Sequence, residues 1–196
     1  MQLAAGNTAP RVTVFTGPKY QHPYNTDSVH LQNTGYLAYG EKLAITVDRY
    51  EQGNWQSAFR PVSFQRSGAV VTIGFAVPYP PMVWDGGHGA GHHQSGTYAA
   101  WALGKGFEAR DDSGIITINS VAIASNTVVL TMARSPSTNL FISYADTAES
   151  PNGGAGFTNA GGRCGLLRDS DSAVGRTAQS GNVYASWCPQ FVQAVA

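Results

Sequence analysis

The sequence predicts a mainly β protein: an antiparallel β-sandwich preceded by a short strand-loop-helix unit. Three observations carry that prediction. From Trp55 onward, short β-branched and aromatic runs alternate with turn residues, at the spacing of an antiparallel sandwich. Glycine is plentiful, at 23 of 196 residues, and charged residues make up only 12%, well below the usual share. Apolar residues recur at three- and four-residue spacing between Tyr36 and Tyr50, the period of a helix.

Residues 1–10 read as a flexible leader ending in Pro10. Arg11–Thr16 is β-branched and apolar, a short strand that Gly17-Pro18 stops. Lys19 to Thr26 is a loop containing Pro23. A helix begins at Asn33 or Thr34, either of which suits an N-cap, and Gly53 is its stop. Tyr36, Tyr39, Leu43, Val47 and Tyr50 give it one apolar stripe. One strand and one helix cannot enclose a core, so this unit must dock on the β part or on another chain. Beyond it, Pro61–Arg66 and Ala69–Val77 flank a hairpin signal at Ser67-Gly68, and Pro78, Pro80 and Pro81 end the second strand. Strands follow at Gly106–Arg110, Ile115–Ile118, Ser120–Ser125, Thr127–Ala133 and Asn139–Ala145, and Val183–Phe191 reads as the last. Loops at 85–104 and 146–182 interrupt the sandwich; loops of that length are functional or disordered. The expected division is a leader at 1–10, the strand-loop-helix unit at 11–53 and the sandwich at 54–196.

Asp27-Ser28-Val29-His30-Leu31, followed by Asn33-Thr34-Gly35-Tyr36 and Gly40-Glu41, resembles the last conserved block of the SGNH (GDSL-like) hydrolases. The resemblance spans about Val12 to Tyr50. From about Trp55 the chain resembles the β-rich region that follows the esterase domain in phage and bacterial members. Pro78-Tyr79-Pro80-Pro81, Gly106-Phe107-Glu108, Leu167-Arg168-Asp169-Ser170-Asp171 and Trp187-Cys188 carry that second match. The resemblance implies that residues 11–53 are a strand-loop-helix remnant of an α/β SGNH hydrolase. It implies that Asp27 orients His30, and that His30 serves as general base towards a serine. The family's Gly-Asp-Ser block is missing here, as is a Gly-x-Ser-x-Gly elbow. Ser28, one residue from Asp27, is no convincing substitute. Asp27 and His30 are therefore expected to be vestigial or dependent on a partner that supplies the serine. With that serine, the family's usual reaction is hydrolysis of O-acetyl groups on sugar.

Composition narrows the function further. The formal net charge is zero, which leaves no electrostatic footprint for nucleic acid or an anionic membrane. No apolar run is long enough to span a bilayer, so membrane insertion is not expected. The first six residues, Met1 to Gly6, do not read as a secretory signal. Cys164 and Cys188 fit no zinc spacing and read as two separate buried thiols, although cysteine count alone does not decide pairing.

Other candidates lie in the loops. Trp84, Tyr98 and Trp101, with Tyr79 and Tyr144 nearby, suit a core or subunit interface first, and stacking on sugar rings second. His88, His92 and His93 with Asp85 offer imidazoles for a transition metal, but in a Gly-rich loop without helical His spacing. No metal site and no cofactor is expected. Asp169 and Asp171 suit pairing with Arg168 or Arg176, or a turn cap, and read as structure rather than chemistry.

The expectation is a non-catalytic structural or binding module related to the C-terminal part of an SGNH carbohydrate esterase. By family analogy it is a phage virion protein, a decoration, fibre or tail component acting outside the cell without its own signal. Its expected partners are further copies of itself or a larger protein assembly, with a glycan as candidate ligand. The alternatives are the Asp/His-bearing part of a split O-acetylesterase and a stand-alone glycan-binding domain.

Overall fold

The computed structural model describes residues 14–22, 25, 30–85, 104–146, 165–173 and 184–196. A 3-10 turn at Lys19–Gln21 precedes the 19-residue helix α1 (Asn33–Glu51). Among the described residues ten strands follow: β1 (Arg60–Ser67), β2 (Val70–Ala76), β3 (Val83–Trp84), β4 (Phe107–Asp111), β5 (Gly114–Ile116), β6 (Ile118–Ala124), β7 (Thr127–Met132), β8 (Leu140–Tyr144), β9 (Leu167–Arg168) and β10 (Phe191–Val195).

The strands form two four-stranded antiparallel sheets, β1-β2-β7-β6 and β10-β8-β4-β5, with β3 and β9 as a short separate pair. Period-two patterning decides which face each strand buries. In β2, Val71, Ile73 and Phe75 point inward; in β7, Val128, Leu130 and Met132 do. The register pairs Val71 with Leu130 and Ile73 with Val128, so these side chains lie side by side. Phe107 and Ala109 of β4 meet Leu140, Ile142 and Tyr144 of β8 in the opposite sheet, and both sets belong to one hydrophobic core. β5 runs into β6 across Thr117, carrying the chain from one sheet to the other. At the other edge, the Phe64 and Phe191 rings meet edge-on at 5.8 Å across the two sheets.

Loops are fixed by polar clamps. Buried Asp111 at the end of β4 accepts two bonds from the Arg134 guanidinium, at 2.6 and 2.9 Å, and one each from the N–H groups of Ser113 and Ser137. The Arg134 bond, with those of Ser137 and Ser113, holds the Asp111 carboxyl far below the usual carboxylate range, against the effect of burial. The result ties the β4–β5 turn to the segment between β7 and β8.

The mainly β, sandwich-like architecture matches the sequence prediction. Gly68, at φ +58°, takes the first of the two turn positions joining β1 to β2. Three expectations need correction. The strand at Arg11–Thr16 is not formed at Val14–Thr16, where the backbone joins no sheet, and Arg11 to Thr13 lie outside the described residues. The last strand is β10, not Val183–Phe191; the Tyr184–Gln190 segment is instead held by single bonds to β9, including Cys188 N–H to the Leu167 carbonyl at 3.0 Å. The segment expected as one loop at 146–182 contains β9, which pairs with β3 and lies against Tyr144. The Tyr144 hydroxyl accepts the Leu167 N–H at 2.8 Å, and a Cβ at Gly165 would overlap the tyrosine ring. Cys188 is a free, buried thiol, its pKa pushed well up by burial; Cys164 lies outside the described residues.

Candidate functional site

Helix α1 is built as the sequence predicts, and its apolar stripe faces away from the chain's own core. It begins one residue after Gln32, which provides no side-chain cap, and closes at Gln52-Gly53, with Gly53 at φ +72°. The expected apolar stripe faces outward: Tyr36 is 51% exposed, Leu43 43%, Val47 46% and Tyr50 42%, with Leu37 beside them. Tyr39 alone turns aside, packing edge-on against buried His22 at 5.6 Å with the Lys19 ammonium 5.8 Å from its ring. The buried face carries Gly35, Glu41, Lys42 and Thr46. No α1 residue joins the hydrophobic core among the described residues.

The inner face sits on a polar network. Lys42 is 4% exposed; its ammonium donates to the Tyr184 carbonyl at 2.7 Å and lies 3.5 Å from the Ser186 hydroxyl. The Tyr184 hydroxyl donates to the Glu41 carboxylate. Two turns on, Arg49 grips Asp171 with two bonds, at 2.5 and 2.9 Å, and lies over the Tyr79 ring at 4.6 Å. Asp169 is fully buried. Its Oδ1 accepts the N–H groups of Ser186 at 2.7 Å and Asp171 at 3.2 Å, while its Oδ2 has no hydrogen-bond partner among the described residues.

Burial dominates the electrostatics here. Desolvation lowers the Lys42 pKa, although the Asp171 and Asp169 charges oppose it. Desolvation raises Asp169 against the two N–H bonds. For Asp171 burial is again the largest influence, but the Arg49 bond, the Ala173 N–H and the Lys42 charge together outweigh it and hold the carboxyl low. The same bond raises Arg49.

A cavity of about 30 Å³ lies beside the network, lined by Lys42, Thr46, Arg49, Tyr79, Ser186 and Trp187 among others. That volume is room for a water or two, not for a sugar ring or an acyl group. The Lys42–Ser186 contact superficially suits a Ser–Lys nucleophile pair. Its ammonium is instead committed to a carbonyl and lies in the field of the Asp171 and Asp169 carboxylates. The network holds the helix in place.

Few of the residues predicted from sequence fall within the described structure. His30 is exposed at the bend before α1, its carbonyl accepting the Asn25 N–H at 2.8 Å. Asp27, Ser28, Tyr98, Trp101, His88, His92, His93 and Arg176 lie outside the described residues. Trp84 is half-buried in β3, edge-on to Phe107 at 6.4 Å and beneath the Lys105 ammonium. Arg168 pairs with Asp85 at 2.8 Å rather than with Asp169 or Asp171. Sequence reasoning passed over Lys42 and Arg49, and used Glu41 for the family resemblance alone. Their signal was present: three charged residues on the helical face opposite the Tyr36–Tyr50 stripe, in a chain with few charges.

No family model matches the chain, and no curated protein does. A solved structure, the N-terminal part of the bacterial S-layer protein SbsC, is similar at 9% sequence identity and a TM-score of 0.37. The match covers 99% of this chain and 36% of that one. A likeness this distant carries no argument about fold or function.

Proposed function

We propose that this chain is a non-catalytic structural module that works by assembly, its outward helix face being where another protein surface docks. One observation supports this most: α1 buries charged groups and leaves Tyr36, Leu43, Val47 and Tyr50 in solvent. A helix normally buries its apolar stripe, because that burial is its main source of stability in a protein. Here a contiguous apolar surface is left available, as at protein interaction sites. The resemblance of Asp27–Tyr36 to the SGNH block supports descent from the tail of a carbohydrate esterase, and with it a virion decoration, fibre or tail role outside the cell. Glycan binding through Trp84, Tyr98 and Trp101 is the further role this reading leaves open.

The test is the size of the purified chain by sedimentation velocity across a concentration series. Association that grows with concentration, and that is lost in Leu43→Glu/Val47→Glu with its circular dichroism unchanged, is expected. A monomer at every concentration, with or without the substitutions, overturns self-assembly. The second reading, a split esterase, is favoured by the exposure of His30 beside the start of α1. It requires that a Ser-bearing partner chain restore acetyl-ester hydrolysis that His30→Ala abolishes.

A further inference from the structure

The outward face of α1 has the spacing of a two-helix seam. Tyr36, Gly40, Leu43, Val47 and Tyr50 fall at alternating intervals of four and three residues, the a/d pattern of a coiled coil. Every one of them is exposed, and a Cβ at Gly40 would meet nothing within 4 Å. Large residues thus stand at the two ends, Leu43 at the middle, and a gap at Gly40.

We propose that α1 pairs antiparallel with α1 of a second copy of this chain, about a two-fold axis passing beside Leu43. The proposal rests on the assembly reading above and names its partner. In this register Leu43 faces Leu43, Tyr36 faces Tyr50, and Val47 fills the space over Gly40 of the partner helix. A parallel pair would set Gly40 against Gly40 and leave that gap empty between the paired Tyr36 and the paired Leu43 side chains.

Charge selects the same orientation. The first turn of α1 contains no acidic residue, and Gln32 gives no side-chain cap. At the other end Glu51, exposed, places a carboxylate at the negative end of its own helix, where it is unfavourable. The basic residue of that turn, Arg49, is committed to Asp171. Antiparallel pairing brings each Glu51 beside the first turn of the partner helix, at the positive end of that dipole, where a carboxylate is favourable. Nothing repels within the seam, since none of its five residues is charged.

The area sets the strength. A 19-residue helix is about 28 Å long and about 10 Å across, so one face offers on the order of 300–500 Å² per copy. A stable pair needs about 800 Å² per partner. The contact is thus weak between two isolated copies and strengthens where many copies are held together.

The test is disulfide trapping by mild oxidation of concentrated protein, with the unsubstituted chain as control for Cys164 and Cys188, and with Val62→Cys, exposed on β1, as control for collision. Disulfides form only where Cα atoms come within about 7 Å. In the antiparallel pair Leu43→Cys is trapped with itself, and Tyr36→Cys is trapped with Tyr50→Cys in a mixture. Tyr36→Cys is not trapped with itself, because its two copies stand about 21 Å apart. Efficient self-trapping of Tyr36→Cys would mean a parallel pair and overturn the proposal. Self-association in sedimentation with trapping no better than Val62→Cys would place the contact elsewhere, overturning the proposal but not the assembly reading. A monomer at all concentrations would overturn both.

Discussion

Asp169 and Asp171 stand two residues apart in the same buried turn, yet they do opposite things. Asp171 is matched by Arg49, and its folded pKa lies below the ordinary 3.8. Asp169 bears the cost of burial, and its pKa is raised. A depressed carboxyl contributes stability that is present above its unfolded pKa and is lost as pH falls through the folded value. The Asp171–Arg49 contribution should therefore be complete above pH 3.8 and fade below it, alongside that of Asp111. Asp171→Asn should destabilise the chain at neutral pH by about 2–4 kcal/mol, because it leaves a partly buried guanidinium unpaired. Asp169→Asn keeps an oxygen for both N–H groups and should cost about 1 kcal/mol or less. Urea unfolding at pH 7 and pH 3 checks the order, and Asp171→Asn should show the smaller loss on acidification. These partners could not be read from the sequence. Asp171 meets an arginine 122 residues away, whereas local reasoning offered Arg168 and Arg176, the nearest ones along the chain.

The strands were legible because period two and the turn residues report directly on backbone and burial. β1, β2, β4, β6, β7 and β8 fall within a residue or two of expectation. Helix α1 was equally legible in extent and illegible in orientation. A 3.6-residue stripe shows that one face is apolar; it does not say whether that face meets the chain's own core. The strand expected at Val14–Thr16 failed for a related reason: β-branched residues favour a ladder, but no neighbouring strand of the described chain lies there to pair with. Gly40 brings the helix argument to a test. It lies mid-helix with open space around it, so Gly40→Ala should stabilise the isolated chain by about 0.5–1 kcal/mol through helix propensity alone. Thermal melting of dilute protein measures that gain. If Gly40 had been an internal packing position, the same change would destabilise.

At the scale of the molecule, the two halves of the structure are stabilised differently. The sandwich is held by a continuous core in which Ile73, Leu130, Phe107 and Ile142 are fully enclosed, each worth about 1.5–3 kcal/mol on burial. The helix is held by ion pairs and hydrogen bonds, which specify position but offset little more than their own desolvation. A chain so constructed presents a well-placed apolar ridge on a stable base, and covering that ridge is where further stability is available. Hydroxyl-radical footprinting of Tyr36, Leu43 and Tyr50 at low and high protein concentration tests this most directly. Their labelling should fall with concentration while that of Val62 and Ile115, exposed on the sandwich, stays constant. Labelling of the helix residues that stays constant while the chain associates would contradict it.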